Sequence, residues 1–319
     1  MLKTTRALAA SLTILVAAGP LAAQHLASRP VPSVGVESFT FMSPSMGVTF
    51  AVNVGLPVGY QAGDPKKYQA LISTDGDWAF GGVYDGARSL MNQQVIDGMF
   101  VVSIGTAAED GEGEWTRRRI YEFSPPDWDR KDTFGVGVTE YCQKFKSAPG
   151  KCTGGAGPFL NAIVKELIPL VAARYSIDTD RLGLFGISAG GFFATWTIFQ
   201  PDSPFKKYII SSPAMAYGNG TAFRLEEGWA RDHKDLPVGI YFGAGVLETV
   251  DGYLEGVGQI VSGMSHLSGV LGGRHYPGLK LVTEFHPGMS HGDVMGTVVV
   301  RGLRTLYGKP TEPEFGVKR

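Results

Sequence analysis

The chain has 319 residues, 44% of them hydrophobic and 18% charged, with 29 Lys and Arg against 30 Asp and Glu. Such a composition supports one large core or two modest ones and excludes a disordered chain. A formal net charge of −1 excludes the basic field that would draw nucleic acid or an anionic membrane.

Residues 1–23 read as an export signal. Lys3 and Arg6 precede the apolar run from Ala7 to Ala18, Gly19-Pro20 breaks it, and Ala22-Ala23 suit cleavage before Gln24. The run is too short to span a bilayer comfortably. The expectation is one domain over 24–319, periplasmic or secreted, with no stable membrane anchor. Cys142 and Cys152 flank the polar loop QKFKSAPGK, and in an oxidising compartment such a pair forms one local disulfide.

Strand patterns follow at Phe50 to Leu56 and Tyr68 to Thr74, a helix pattern at Ala87 to Ile96, and a buried-strand run at Met99 to Ile104. Gly105 to Gly157 reads as a long irregular insertion, of the length usually given to a lid or a functional loop. Phe159, Ile163, Leu167, Leu170 and Val171 then repeat at helical spacing. Strands are expected at Leu182 to Phe185, Lys207 to Ser212, Val238 to Phe242 and Leu279 to Phe285. Helices are expected at Gly191 to Phe199, about Gly252 to Val270, and Val294 to Tyr307. This alternation predicts one doubly wound, mostly parallel sheet flanked by helices.

Two segments match G-x-S-x-G: Gly186-Ile-Ser188-Ala-Gly190 and Gly288-Met-Ser290-His-Gly292. With 44 glycines in the chain the pattern alone is weak, so context decides. The first copy follows the apolar LGLF and runs into GFFATWTIF, the strand, sharp turn and helix that the motif requires. Ser188 is therefore the candidate nucleophile, and the amide of Ala189 a candidate oxyanion donor. Ser290 comes too late, because an acid and then a histidine must follow the serine.

A serine hydroxyl needs a base. Of the six histidines, His286 and His291 lie between the last strand and the last helix. His291, at the loop tip, has the better reach and is preferred; a metal reading of His286, His291 and Asp293 lacks ligand spacing. The acid should stand just past the penultimate strand, where Glu248 and Asp251 both lie. Glu248 is nearer the strand end and is preferred, while either residue could be a solvated carboxylate at a helix start.

At these residues the chain resembles the esterase family of the α/β-hydrolase superfamily that includes esterase D, feruloyl esterases, enterochelin-type siderophore esterases and mycolyltransferases. The resemblance runs through Ser43-Pro-Ser-Met-Gly47, Leu56-Pro-Val-Gly-Tyr60, Leu71-Ile-Ser-Thr-Asp-Gly76, Arg174-Tyr-Ser-Ile-Asp178 and Arg181-Leu-Gly-Leu-Phe-Gly-Ile-Ser-Ala-Gly-Gly191. It implies the α/β-hydrolase fold, a cofactor-free Ser-His-acid mechanism and a small-molecule ester substrate. Carried over by position, Ser188 is the nucleophile, His291 the base and Glu248 the acid, where the family often has Asp. The amide of Asp77 or Trp78 would complete the oxyanion hole. Arg117-Arg-Arg-Ile-Tyr-Glu-Phe-Ser-Pro125 resembles the family's R-x-x-D-x-[ST]-P segment, with Glu in place of Asp.

Arg117, Arg118, Arg119 and Trp115, with Phe123, Trp128, Arg130 and Lys131, are expected to rim the cleft and receive an anionic or aromatic ester. The competing expectation is a solvated loop whose arginines pair with Asp110, Glu112 and Glu114. Acyl transfer to a hydroxyl acceptor and a non-catalytic binding module on the same scaffold are the rival functions.

Overall fold

A computed structural model describes residues 34–107, 111–125 and 153–310. Among the described residues eight strands form one sheet: β1 (Val36–Ser43), β2 (Val48–Gly55), β3 (Tyr68–Ser73), β4 (Met99–Thr106), β5 (Ile177–Ile187), β6 (Phe205–Ser211), β7 (Gly239–Gly245) and β8 (Lys280–His286). Their order is β1-β2-β4-β3-β5-β6-β7-β8. The β1–β2 and β2–β4 pairs are antiparallel; every pair from β4–β3 to β7–β8 is parallel. This is the α/β-hydrolase fold.

The helices are α1 (Phe80–Asn92), α2 (Gly111–Phe123), α3 (Ala156–Arg174), α4 (Ala189–Thr197), α5 (Thr221–Asp232), α6 (Ile260–Arg274) and α7 (Val294–Tyr307). They cover both faces, which explains why the central strands read as nearly continuous apolar runs. Alternate residues of a strand serve opposite cores. In β7, Ile240, Phe242 and Ala244 join one core with Phe159, Phe192, Phe193 and Met264. Tyr241 joins the other, with Val83, Tyr84, Val298 and Leu303 from α1 and α7. Each fully buried large apolar side chain contributes roughly 1.5–3 kcal/mol, so these two layers dominate the fold's stability.

α3 is long and apolar enough to cross a membrane, yet its Phe159, Leu160, Ile163, Leu167 and Val171 pack into the core beside the sheet. Within it, Ile163–Leu167 forms a wider π turn just before Pro169, whose missing N–H cannot continue the ordinary ladder.

The structure departs from the sequence expectation in four places. The insertion from Gly105 is not irregular throughout, because α2 occupies Gly111–Phe123 and α3 begins at Ala156. α1 begins at Phe80 rather than Ala87. The helix expected over about 252–270 starts only at Ile260, as α6 (Ile260–Arg274), and a 3₁₀ turn at Val246–Val250 precedes it just after β7. β1 and α5 were not anticipated. Cys142, Cys152, Trp128, Arg130 and Lys131 lie outside the described residues.

Candidate active site

Ser188 sits between β5 and α4 with φ 58° and ψ −118°, a sparsely populated conformation that costs a non-glycine residue about 1–3 kcal/mol. Three backbone hydrogen bonds hold it there. Its amide donates to the Ser211 carbonyl at 3.0 Å, and its carbonyl accepts from Phe192 at 2.9 Å and Ala214 at 3.0 Å. The flanking glycines are steric requirements. A Cβ on Gly186 would lie 2.1 Å from the Gly190 carbonyl oxygen, and one on Gly190 would lie 2.5 Å from Thr74 Oγ1. Ser290, in the second motif, lacks a positive φ; its amide donates to Asp293 Oδ1 at 2.6 Å in a loop.

Glu248 and His291 come together although 43 residues separate them in sequence. His291 Nδ1 donates to Glu248 Oε1 at 2.5 Å. The other carboxylate oxygen accepts from Ser212 Oγ at 2.9 Å and from the Gly245 amide at 2.8 Å. Glu248 is fully buried, whereas the His291 side chain is 27% exposed. Three donors satisfy the buried carboxylate, which in turn fixes its partner ring. The Leu247 amide donates to the Met289 carbonyl at 2.9 Å, so the turn after β7 is also stitched to the loop after β8.

The alternatives fall elsewhere. His286 Nε2 lies 3.4 Å from Tyr241 Oη, beside Glu284, and burial lowers its pKa. Asp251 Oδ1 accepts from the Tyr253 and Leu254 amides, each at 2.8 Å, as the cap of an exposed turn.

Opposite the serine, β3 gives way to Thr74-Asp75, and Asp75 has φ 57°. In the loop that follows, the Gly76 amide donates to the Ile104 carbonyl at 3.0 Å and the Trp78 amide to the Asp75 carbonyl at 3.2 Å. Trp78, one of the two expected oxyanion donors, therefore has its N–H committed to the turn. Ala189 opens α4, so its amide has no carbonyl one turn back within the helix to bond.

The structure buries Arg117 and Arg118 rather than presenting three consecutive arginines together at an exposed rim, which departs from the sequence expectation. Arg118 is 1% exposed: its Nε donates to Glu122 at 2.8 Å, its Nη1 to the Thr49 carbonyl at 2.7 Å, and its guanidinium lies over the Phe50 ring. Arg117 pairs with Glu114 at 2.5 Å. Arg119 pairs with Asp75. Trp115 is likewise engaged, its Nε1 donating to Asp77 Oδ2 at 2.8 Å. The cause is α2 itself: helical spacing sends neighbouring residues in different directions, where a loop could have presented them together. Sequence reasoning missed Ser212, whose only signal is its place at the end of β6, and Asp75, hidden in a turn.

Residues 162–235 match the model of the prolyl oligopeptidase family, a stretch that contains β5, the Ser188 turn and α4. Among curated proteins, the chain is 25% identical over 183 residues to the siderophore enterobactin esterase of Emericella nidulans, covering 53% of this chain and 55% of that one. It is 30% identical over 97 residues to the ferri-bacillibactin esterase BesA of Bacillus subtilis, covering 30% and 34%. The alignments thus span about half or less of these relatives' length. Among solved structures, the siderophore hydrolase EstA of Aspergillus nidulans superposes with a TM-score of 0.71 at 20% identity, covering 88% of this chain and 97% of that one.

Proposed function

We propose that this enterochelin esterase-like α/β-hydrolase is a serine esterase that cleaves a small-molecule carboxylic ester, of the siderophore class named for its relatives, through an acyl-enzyme on Ser188. The observation that carries the reading is the buried Glu248 carboxylate on His291 Nδ1. That bond leaves Nε2 as the nitrogen able to act as base.

The Ser188 hydroxyl attacks the ester carbonyl while His291 Nε2 takes its proton. The charge arriving on the carbonyl oxygen meets the amides of Ala189 and Asp77, the latter preferred because its neighbours are committed. Collapse breaks the carbonyl–alkoxy bond, and His291 returns the proton to the departing alcohol. Water, deprotonated by the same imidazole, then releases the carboxylic acid and restores Ser188. Glu248 holds the ring orientation and offsets the imidazolium charge throughout.

The reading includes a leader removed before Gln24, a single hydrolase domain over 24–319, a Cys142–Cys152 disulfide, and periplasmic or secreted residence; the signal pattern and the two cysteines support these parts. The test is an ester panel, with short-chain, feruloyl and siderophore esters run on the wild type and Ser188→Ala in parallel. Turnover of at least one ester by the wild type, lost in the variant, is expected. Equal rates in both proteins would overturn the assignment of Ser188.

A further inference from the structure

We infer that Arg119 is a positioning residue for the oxyanion side of this site, acting through Asp75; the inference rests on the serine-esterase reading above. Arg119 Nε donates to Asp75 Oδ1, and its Nη2 reaches Asp75 Oδ2 at 3.3 Å and the Ile187 carbonyl at 3.4 Å. Ile187 immediately precedes the nucleophile. One guanidinium thus ties the end of β3 to the end of β5, the two strands that flank the expected oxyanion hole.

The arrangement solves an electrostatic problem. Asp75 is 2% exposed, and its Oδ2 lies 2.6 Å from where a Gly190 Cβ would stand, so the carboxylate rests against the first turn of α4. An unneutralised anion there would oppose the negative charge that grows on the substrate oxygen beside the Ala189 amide. Arg119 supplies the compensating cation in a fork that also fixes direction. Burial disfavours the guanidinium's charge, but the adjacent Asp75 outweighs it and raises the Arg119 pKa. One helical turn earlier on the same side of α2, Trp115 holds Asp77. Residues four apart on the helix therefore grip residues two apart on the loop.

The experiment measures kcat and KM for p-nitrophenyl butyrate, together with the labelling rate by a fluorophosphonate, in wild type, Arg119→Met, Arg119→Lys and the double variant Arg119→Met/Asp75→Asn. Arg119→Met is expected to lower kcat and the labelling rate about 100-fold, the size of one lost oxyanion donor, with KM nearly unchanged. The double variant should regain about tenfold over Arg119→Met, because a neutral amide no longer opposes the oxyanion. Unchanged kcat, a loss confined to KM, or a double variant no faster than the single one would each overturn the inference. If circular dichroism shows Arg119→Met unfolded, Arg119→Lys decides. It keeps the charge but not the fork, so an intermediate kcat at unchanged KM supports the role and a wild-type kcat overturns it. Failure of the underlying reading is recognised separately, by a wild type that the phosphonate never labels or by Ser188→Ala labelling equally.

Discussion

Ser211 and Ser212, adjacent at the end of β6, face the two halves of the site: the Ser211 carbonyl accepts the Ser188 amide at 3.0 Å, and the Ser212 hydroxyl donates to Glu248 at 2.9 Å. This adjacent pair thereby couples the positive-φ turn at Ser188 to the buried carboxylate that holds His291. The ends of β5, β6, β7 and β8 all contribute, as expected where ligands collect at the carboxyl edge of a parallel sheet.

The Glu248 side chain has no room for a changed hydrogen-bond pattern. In Glu248→Gln the amide can present N–H to His291 Nδ1, which forces the wrong tautomer or breaks the contact. We expect kcat to fall by about 10²–10⁴-fold with little change in KM. Asp251→Asn should retain wild-type kcat, because Asp251 only caps a turn. Steady-state kinetics on an activated ester checks both; a wild-type rate in Glu248→Gln would remove the acid from the mechanism.

The two histidines after β8 separate cleanly in the same assay. His291→Ala should abolish phosphonate labelling of Ser188, whereas His286→Ala should label at the wild-type rate, since His286 neighbours Tyr241 and Glu284 rather than Glu248. Reversed results would exchange their assignments.

Much of this was legible in sequence because the signals were local. Apolar runs bounded by turns located the central strands, and α7 was expected at the observed Val294–Tyr307 because its apolar face repeats at helical spacing. The losses have physical causes. α1 opens with Phe80-Gly-Gly, which is weak in helix propensity, so its first turn carries no local helix signal. α2 carries no apolar stripe to announce it, because it buries Thr116, Arg117, Arg118 and Glu122 beside only two apolar residues, Ile120 and Phe123. The Glu248–His291 contact could be expected only from strand order, because nothing local links a 3₁₀ turn to a loop tip.

Arg118 supplies a stability prediction that the cleft-rim expectation would not make. Its guanidinium is enclosed with Glu122, the Thr49 carbonyl and the Phe50 ring. Arg118→Ala strands the Glu122 carboxylate in the core, and removing one partner of a buried pair costs about 3–5 kcal/mol. Denaturant unfolding should show that loss, while KM for anionic and neutral esters stays equal to wild type at permissive temperature. A selective rise in KM for the anionic ester with stability intact would restore the rim reading.

Acid stability should depend on a pair remote from this chemistry. Arg301 Nε donates to Glu284 Oε2 at 2.9 Å, and the Tyr241 hydroxyl donates to the same oxygen at 2.6 Å. The Arg301 hydrogen bonds, acting against partial burial, pull the Glu284 pKa from 4.5 down to about 2. A carboxyl whose folded pKa lies below its unfolded one stabilises the fold fully above pH 4.5, and that contribution is lost as pH falls toward 2. Arg301 is more than half exposed, so solvent screening keeps the effect modest. Glu284→Gln should therefore melt below the wild type at pH 7, with the gap in Tm closing between about pH 4.5 and pH 2. A gap that stays constant across that range would show that Glu284 stabilises by packing, not by its charge.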